Sequence, residues 1–217
     1  MADDPSPGHK DGLPYPGDCE FTAFLRHKAE SRTTTIPRSE QWQRCLDRAK
    51  AVKLLLLDVD GVLTDGSITY SENGDEIKTF NARDGFGINM VRTIGVEVGI
   101  ITARKSLALE RRVKDLSLSL VFQGVRYKVR SFHEIIEQLQ IKPWEAAYVG
   151  DDWLDLPLLK LVGLAVAVND ALPEVRELAH FVTANPGGRG AVREVCDLII
   201  AAKGQRQALL TKYMDRQ

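Results

Sequence analysis

The stretch Val52-Lys53-Leu54-Leu55-Leu56-Leu57-Asp58-Val59-Asp60-Gly61-Val62-Leu63-Thr64-Asp65-Gly66 runs four leucines straight into two aspartates and a glycine. An apolar run with no polar alternation marks a strand buried on both faces, as in a parallel sheet. Similar runs recur at 96–101, 119–122, 146–149, 164–168 and 180–182. Helical patterns lie between them at 85–93, 106–116, 129–139, 154–161, 173–179 and 191–202. Strand then helix, repeated, predicts an α/β fold with a doubly wound parallel sheet and right-handed crossovers. One segment breaks the rhythm. Residues 67–80 carry β-rich arms around Asn73-Gly74, so a hairpin is expected directly after the first strand, projecting above the strand ends.

Charge and composition narrow the class. The 217 residues hold 29 Lys plus Arg against 30 Asp plus Glu, a formal net charge of -1. That balance argues against a nucleic-acid-coating protein. The longest apolar runs are far too short for a bilayer, so no membrane partner is expected. No basic region followed by an apolar one opens the chain, and Cys19, Cys45 and Cys196 form neither a disulfide framework nor a CxxC site. A cytoplasmic protein is expected. Five of the nine prolines fall in the first 37 residues, interleaved with Gly8, Gly12 and Gly17. Residues 1–37 therefore read as a flexible Pro/Gly-rich extension, with a short helix around 21–28. Ser39 can cap a helix whose Trp42, Cys45, Leu46 and Ala49 share one face. The domain is expected over 38–205, with 206–217 a C-terminal tail.

Ligands of open α/β sheets bind at the carboxyl ends of the strands. Those ends carry Asp58 and Asp60, then Thr102, then Lys128, then Asp151 and Asp152, with Asp155 three residues on. Several carboxylates cannot share one rim as anions unless a cation neutralises them. Oxygen donors without His or Cys point to Mg²⁺ over Zn²⁺. A carboxylate beside such an ion can attack a phosphoryl group, and a second one two residues along can move the protons. The hydroxyl and the ammonium would hold the remaining phosphate oxygens. Each feature is unremarkable alone, since an Asp at a strand end is usually a turn or helix cap. Their conjunction in this order is specific.

DVDGVLTDG (58–66), Thr102, Lys128 and GDDWLD (150–155) resemble the four motifs of the haloacid dehalogenase superfamily, in its phosphatase branch. The resemblance implies a Rossmann-like fold with Asp58 as nucleophile, forming an aspartyl-phosphate, and Asp60 as general acid/base. Thr102 and Lys128 would hold the phosphate. Asp58, the backbone carbonyl of Asp60, and Asp151 would bind Mg²⁺, supported by Asp152. From Lys53 to about Ala202 the chain is similar to the 3-deoxy-D-manno-octulosonate (KDO) 8-phosphate phosphatase family, through NGDEIKTFN, ARDGFGI, ITARKS, VFQG, YVGDDWLDLP and NPGGRGAVREVCDLI. This implies a sugar-acid phosphate substrate, a step in lipopolysaccharide precursor synthesis, and no large cap domain. It also implies a homotetramer assembled through the hairpin, with Ile68, Tyr70, Ile77 and Phe80 buried between subunits. The Gly-rich C-terminal segment would reach a neighbouring site. Asn81, Ala82, Arg83, Asp84, Gly85, Arg104, Arg112 and Lys128 would line the substrate side, with Arg189 entering from another subunit.

Two positions depart from that family's pattern: Ala103 stands where Gly is usual, and Asn89 where a basic residue is expected. Within the enzyme class the alternative substrate is a nonulosonate 9-phosphate. A non-catalytic domain partnering a cytidylyltransferase is a third reading, opposed by the intact Asp58, Asp60, Lys128 and Asp151. A phospho-acceptor receiver module uses similar groups in a different order, with its acid pair on the first strand and its lysine on the last.

Overall fold

The computed structural model describes residues 39–215 together with residues 20 and 23. The short helix read around 21–28, nearly all of the extension 1–37, and Cys19 lie outside the described residues. One compact unit spans Ser39–Gln217. Helix α1, Glu40–Ala51, opens where Ser39 Oγ accepts from the Trp42 amide at 3.1 Å. It buries Trp42, Cys45 and Ala49, the face that the spacing predicts.

Six parallel strands form one sheet: β1 (Leu54–Leu57), β4 (Glu97–Ile101), β5 (Leu120–Phe122), β6 (Ala146–Gly150), β7 (Leu164–Ala167) and β8 (Phe181–Val182). Their order is β5-β4-β1-β6-β7-β8. The chain moves outward from β1 through β4 to β5, then resumes at β6 on the other side of β1. Successive strand side chains point to opposite faces, yet all four leucines of β1 are buried. Layers must therefore cover both faces, which is the doubly wound arrangement expected. Leu57 pairs with Ile100 on one side and Val149 on the other, so three strand ends stop at one level. Among the described residues no cap domain stands over that edge, and no helix is long and apolar enough to cross a membrane.

Local differences from the sequence reading have local causes. Helix α2 spans Ala82–Thr93 and starts three residues early, because the Asn81 side chain caps it by accepting from the Arg83 amide at 2.8 Å. Helices α3 (Leu107–Asp115) and α4 (Lys128–Gln138) follow β4 and β5. Over 154–161 the expected helix shrinks to α5, Leu156–Leu159, since residues 153–155 tighten into a 3-10 turn capped by Asp152. Helix α6 is Pro173–Leu178 and α7 is Ala191–Ala202. The hairpin keeps only two paired residues per arm, β2 (Thr69–Tyr70) and β3 (Glu76–Ile77). Its loop closes through Ser71 and Asp75, with Gly74 at φ 84° in the left-handed region that a three-residue turn needs. Residues 206–217 carry a helix, α8 (Arg206–Met214), whose Leu209 is buried and whose Tyr213 ring lies 5.1 Å from Phe86 of α2.

Helix α7 packs against both α1 and α2. Its N-terminus is held from outside. The Asp84 carboxylate of α2 is buried and accepts from the amides of Gly190 at 3.2 Å and Arg193 at 2.7 Å. The preceding loop lies flat on the turn after β1. The Gly188 amide donates to the Val62 carbonyl at 2.8 Å, and a Cβ on Gly187 would overlap the Gly61 carbonyl.

Removing the Asp84 carboxylate takes a cap and two buried hydrogen bonds from α7. Asp84→Ala should therefore destabilise the fold by ~2 kcal/mol, read as a lower urea midpoint with unchanged slope. An unshifted midpoint would contradict the capping role.

Candidate active site

The turn after β1 builds the floor of the site. The Asp58 amide still donates to Val149 of β6 at 3.1 Å, extending the sheet by one residue. The chain then folds on itself, with the Val59 carbonyl accepting from Leu63 at 2.9 Å and Thr64 at 3.0 Å. Gly61 sits at φ 82°, and a Cβ there would run into the Asp151 carboxylate. Only glycine lets the ends of β1 and β6 approach this closely.

Lys128, the first residue of α4, reaches back over these ends. Its ammonium lies 2.7 Å from Asp58 Oδ2 and 2.6 Å from Asp155 Oδ1, and donates to the Tyr148 hydroxyl at 3.0 Å. The Tyr148 hydroxyl in turn donates to Asp155 Oδ1 at 2.6 Å. Asp155 is 0 % exposed, and its other oxygen accepts from the amides of Asp151 and Asp152 at 2.9 and 3.3 Å. This carboxylate therefore fixes both the lysine and the turn after β6. Asp152 caps the 3-10 turn, and Asp155 is the residue that joins Asp58 and Asp151 in a carboxylate cluster, with one oxygen of each within 4.8 Å of the others.

Electrostatics in the cluster favour a cation. Burial pushes Asp58 up to about 6, with Lys128 opposing and Asp155 adding to the rise. Burial, with Asp58 and Asp155 nearby, pushes Asp151 up to about 8. Burial works to lower Lys128, but Asp58 and Asp155 overcome it and the net shift is upward. Burial also raises the Tyr148 hydroxyl well above its ordinary range, so it stays a donor. Asp155 has both oxygens engaged, whereas Asp151 Oδ1 is buried with no hydrogen-bond partner. A buried acceptor with no donor, beside a second carboxylate, fits a hard divalent cation. Asp58 and Asp151 would hold it, with the Asp60 carbonyl on the intervening turn.

Asp60 points its side chain elsewhere. It pairs with the ammonium of Lys78 from the hairpin arm, and Arg104 Nε lies 3.6 Å from its second oxygen. Glu76 closes the group, 3.4 Å from Lys78 and 2.7 Å from Arg104 Nη2. Asp58, Asp60, Thr102, Arg104, Lys128 and Asp151 line one cavity of about 250 Å³, together with Gly66, Ala103, Asp152 and Leu154. Ala103 contributes to that wall without closing it. This set combines a carboxylate with a bound ammonium, a second carboxylate at the mouth, a buried hydroxyl and a guanidinium, which suits transfer of a phosphoryl group.

The remaining residues expected on the substrate side lie outside this cavity. Asn81 caps α2, and its carbonyl accepts from Arg112 Nη2 at 3.2 Å, while Arg112 also sits 5.7 Å over the Phe80 ring. Ala82 and Arg83 are exposed, and Gly85 is buried in the first turn of α2. Asp84 is a buried cap of α7, for the reason given above. Arg189 is exposed and stands 3.8 Å from Asp65 of the same chain. Sequence reasoning in turn gave no role to Asp155, Tyr148, Glu76 or Lys78. Strand alternation was the available signal for the last two, because it sets Glu76 and Lys78 on the same side of their arm.

Comparison with known proteins agrees with this geometry. Residues 117–194 match a haloacid dehalogenase-like hydrolase family. The chain is 49% identical over 158 residues to 3-deoxy-D-manno-octulosonate 8-phosphate phosphatase KdsC of Escherichia coli K12, covering 73% of this chain and 84% of that protein. The crystal structure of the Yersinia pestis phosphatase of that name superposes with a TM-score of 0.74 at 45% identity, covering 76% of this chain and 89% of that one. The Moraxella catarrhalis phosphatase, solved with magnesium ion, phosphate ion and KDO, gives 0.76 at 36% identity over 80% of this chain and 98% of that one. The chain belongs to the 3-deoxy-D-manno-octulosonate 8-phosphate phosphatases, a family of haloacid dehalogenase-like hydrolases.

Proposed function

We propose that the protein is a Mg²⁺-dependent phosphatase that hydrolyses 3-deoxy-D-manno-octulosonate 8-phosphate to the sugar acid and phosphate. The observation that carries this reading is Lys128 bridging Asp58 and Asp155 while Asp151 keeps a buried oxygen free of donors. An Asp58 oxygen attacks phosphorus, and the bond from phosphorus to the sugar oxygen breaks. Asp60 delivers a proton to that departing oxygen. Water then attacks the aspartyl-phosphate, Asp60 takes the water's proton, and the bond between phosphorus and Asp58 breaks. Lys128 and the buried Thr102 hold phosphoryl oxygens throughout. Asp58, Asp151 and the Asp60 carbonyl would hold Mg²⁺, which would supply positive charge against the transferring phosphoryl group. The exposed edge of Arg104 at the cavity mouth suits the carboxylate of the sugar acid. Cys45 and Cys196, both buried free thiols, suit a reducing cytoplasm.

Assembly is part of the same reading. Ile68, Tyr70 and Ile77 of the hairpin are at least half exposed, and Phe80 is partly covered by the core. Apolar side chains on a two-stranded ribbon with open edges are better buried between copies. We infer a homotetramer joined through the hairpins.

Three measurements test these statements. In a phosphate-release assay the octulosonate 8-phosphate should exceed a nonulosonate 9-phosphate by about tenfold or more in kcat/KM, with Asp58→Asn as an inactive blank. The reverse preference overturns the substrate, and wild-type activity equal to the blank favours a binding role. Mg²⁺ binding should strengthen as pH rises from 6 to 8. Over that range Asp151, pushed up to about 8, must give up a proton to serve as a ligand. Calorimetry in two buffers should show the proton released, and Asp151→Asn should abolish the Mg²⁺-induced rise in Tm. Light scattering should return about four times the 24.2 kDa chain mass. Tyr70→Glu combined with Ile77→Asp should lower it, and a wild-type monomer or an undisturbed variant would remove the hairpin interface.

A further inference from the structure

Lys78 has an environment unlike that of a hairpin lysine. Such side chains normally extend into water, because burying an ammonium is costly unless it is paired. Here the side chain is 1 % exposed, with its ammonium on Asp60 Oδ1 and 3.4 Å from Glu76 Oε1. Glu76 is held independently by Arg104 at 2.7 Å, so the hairpin arm has an anchor that does not require the lysine. Lys78 itself does not line the cavity, whereas its partner Asp60 does. The two oxygens of Asp60 are consequently unequal. Oδ1 faces the buried ammonium, and Oδ2 faces the half-exposed Arg104, whose Nε stands 3.6 Å away.

We propose that Lys78 is a positioning residue for the acid–base step, locking Oδ1 of Asp60 so that Oδ2 alone exchanges protons with the substrate. The inference rests on the reading of Asp60 as general acid/base. When the phosphate ester bond breaks, its electron pair goes to the departing sugar oxygen, which takes the proton from Oδ2. When water bonds to phosphorus and Asp58 leaves, the water's proton returns to Oδ2. Without the ammonium, the carboxylate is free to rotate about its side-chain bonds, and the proton is presented in the correct direction only part of the time. The hairpin thus acts within its own chain: it carries a group that orients the acid at the strand ends.

The signature of a misplaced acid is dependence on the leaving group. An alkoxide leaves poorly unless protonated, whereas p-nitrophenolate leaves readily without help. The test compares kcat/KM, which reports the first transfer, for the sugar-acid phosphate and for p-nitrophenyl phosphate in wild type, Lys78→Met, Lys78→Arg and Asp60→Asn. Lys78→Met keeps most of the side-chain volume and removes the charge. It should lower kcat/KM on the alkyl ester by about 100-fold and on the aryl ester by less than about fivefold, following the direction of Asp60→Asn. On the alkyl ester the loss should lie in kcat with KM little changed, and Lys78→Arg should recover part of it. Equal losses on both esters, or no loss, overturn the proposal. If Lys78→Met does not fold, as judged by its thermal melt, Lys78→Arg carries the same comparison: its displaced cation must again cost more on the alkyl ester. Wild-type protein that hydrolyses neither ester removes the phosphatase reading itself. Wild-type activity on both, with Lys78→Met unchanged, removes only this inference.

Discussion

The ammonium of Lys128 between Asp58 and Asp155 is the interaction on which the site depends. It joins the end of β1, the start of α4 and the turn after β6, three segments far apart in sequence. In a buried setting a charge pair of this kind is an uncertain source of stability, because desolvation offsets much of the attraction. Its place in the helix adds to the cost. Lys128 opens α4, where the helix dipole disfavours a cation, and Tyr127 before it offers no side-chain cap. A lysine kept in such a position is better explained by what it does to Asp58 and to an incoming phosphoryl group than by folding.

The rest of the architecture holds that point still. The turn after β1 is clasped from below by the sheet and from the side by the loop before α7, whose Gly187 and Gly188 admit no side chain without displacing the turn. That loop is held by Asp84 at one end and by the Gly187 amide on Asp170 at 2.9 Å at the other. Packing of α7 against α1 and α2 therefore extends to the turn that carries Asp58, through the Gly188 amide on the Val62 carbonyl. Rigid backbone is what catalysis by positioning requires, since small displacements of a reacting group cost rate steeply.

Features encoded locally were legible in the sequence. Apolar runs announced six buried strands, and the acids at their ends announced the rim, because a strand's last residue determines which edge it reaches. The cap residue Ser39 set the start of α1, whereas the cap role of Asn81 was not read and α2 begins three residues before its expected start. Features that depend on the path of the chain in space were not legible. Asp84 meets Gly190 across 106 residues and Arg193 across 109, and nothing in Arg83-Asp84-Gly85 distinguishes a carboxylate aimed at substrate from one aimed at a distant helix. Lys78 meets Asp60 only because the hairpin folds back over the strand ends. Asp155 was visible as a spacing, but its four donors come from both ends of the site.

Asp58 and Asp60, two residues apart, are separated by environment. Asp58 lies deep, bonded to its own backbone neighbour Val59 and to Lys128, while Asp60 is partly open and faces Lys78 and Arg104. Each carboxylate has its own cation, which suits the proposed division of labour, with Asp58 as nucleophile and Asp60 exchanging protons. It also sets the charge of the site. Six carboxylates, Asp58, Asp60, Glu76, Asp151, Asp152 and Asp155, meet only three cations, Lys78, Arg104 and Lys128. The excess falls on Asp151, which burial pushes up to about 8 and whose inner oxygen has no donor. Asp151 relieves that excess by holding a proton, and a divalent cation held by Asp151 and Asp58 would displace the proton and set positive charge against an entering phosphoryl dianion. Metal and substrate are thus coupled through the charge count of the strand ends. The chain's overall balance of acids and bases conceals this local deficit.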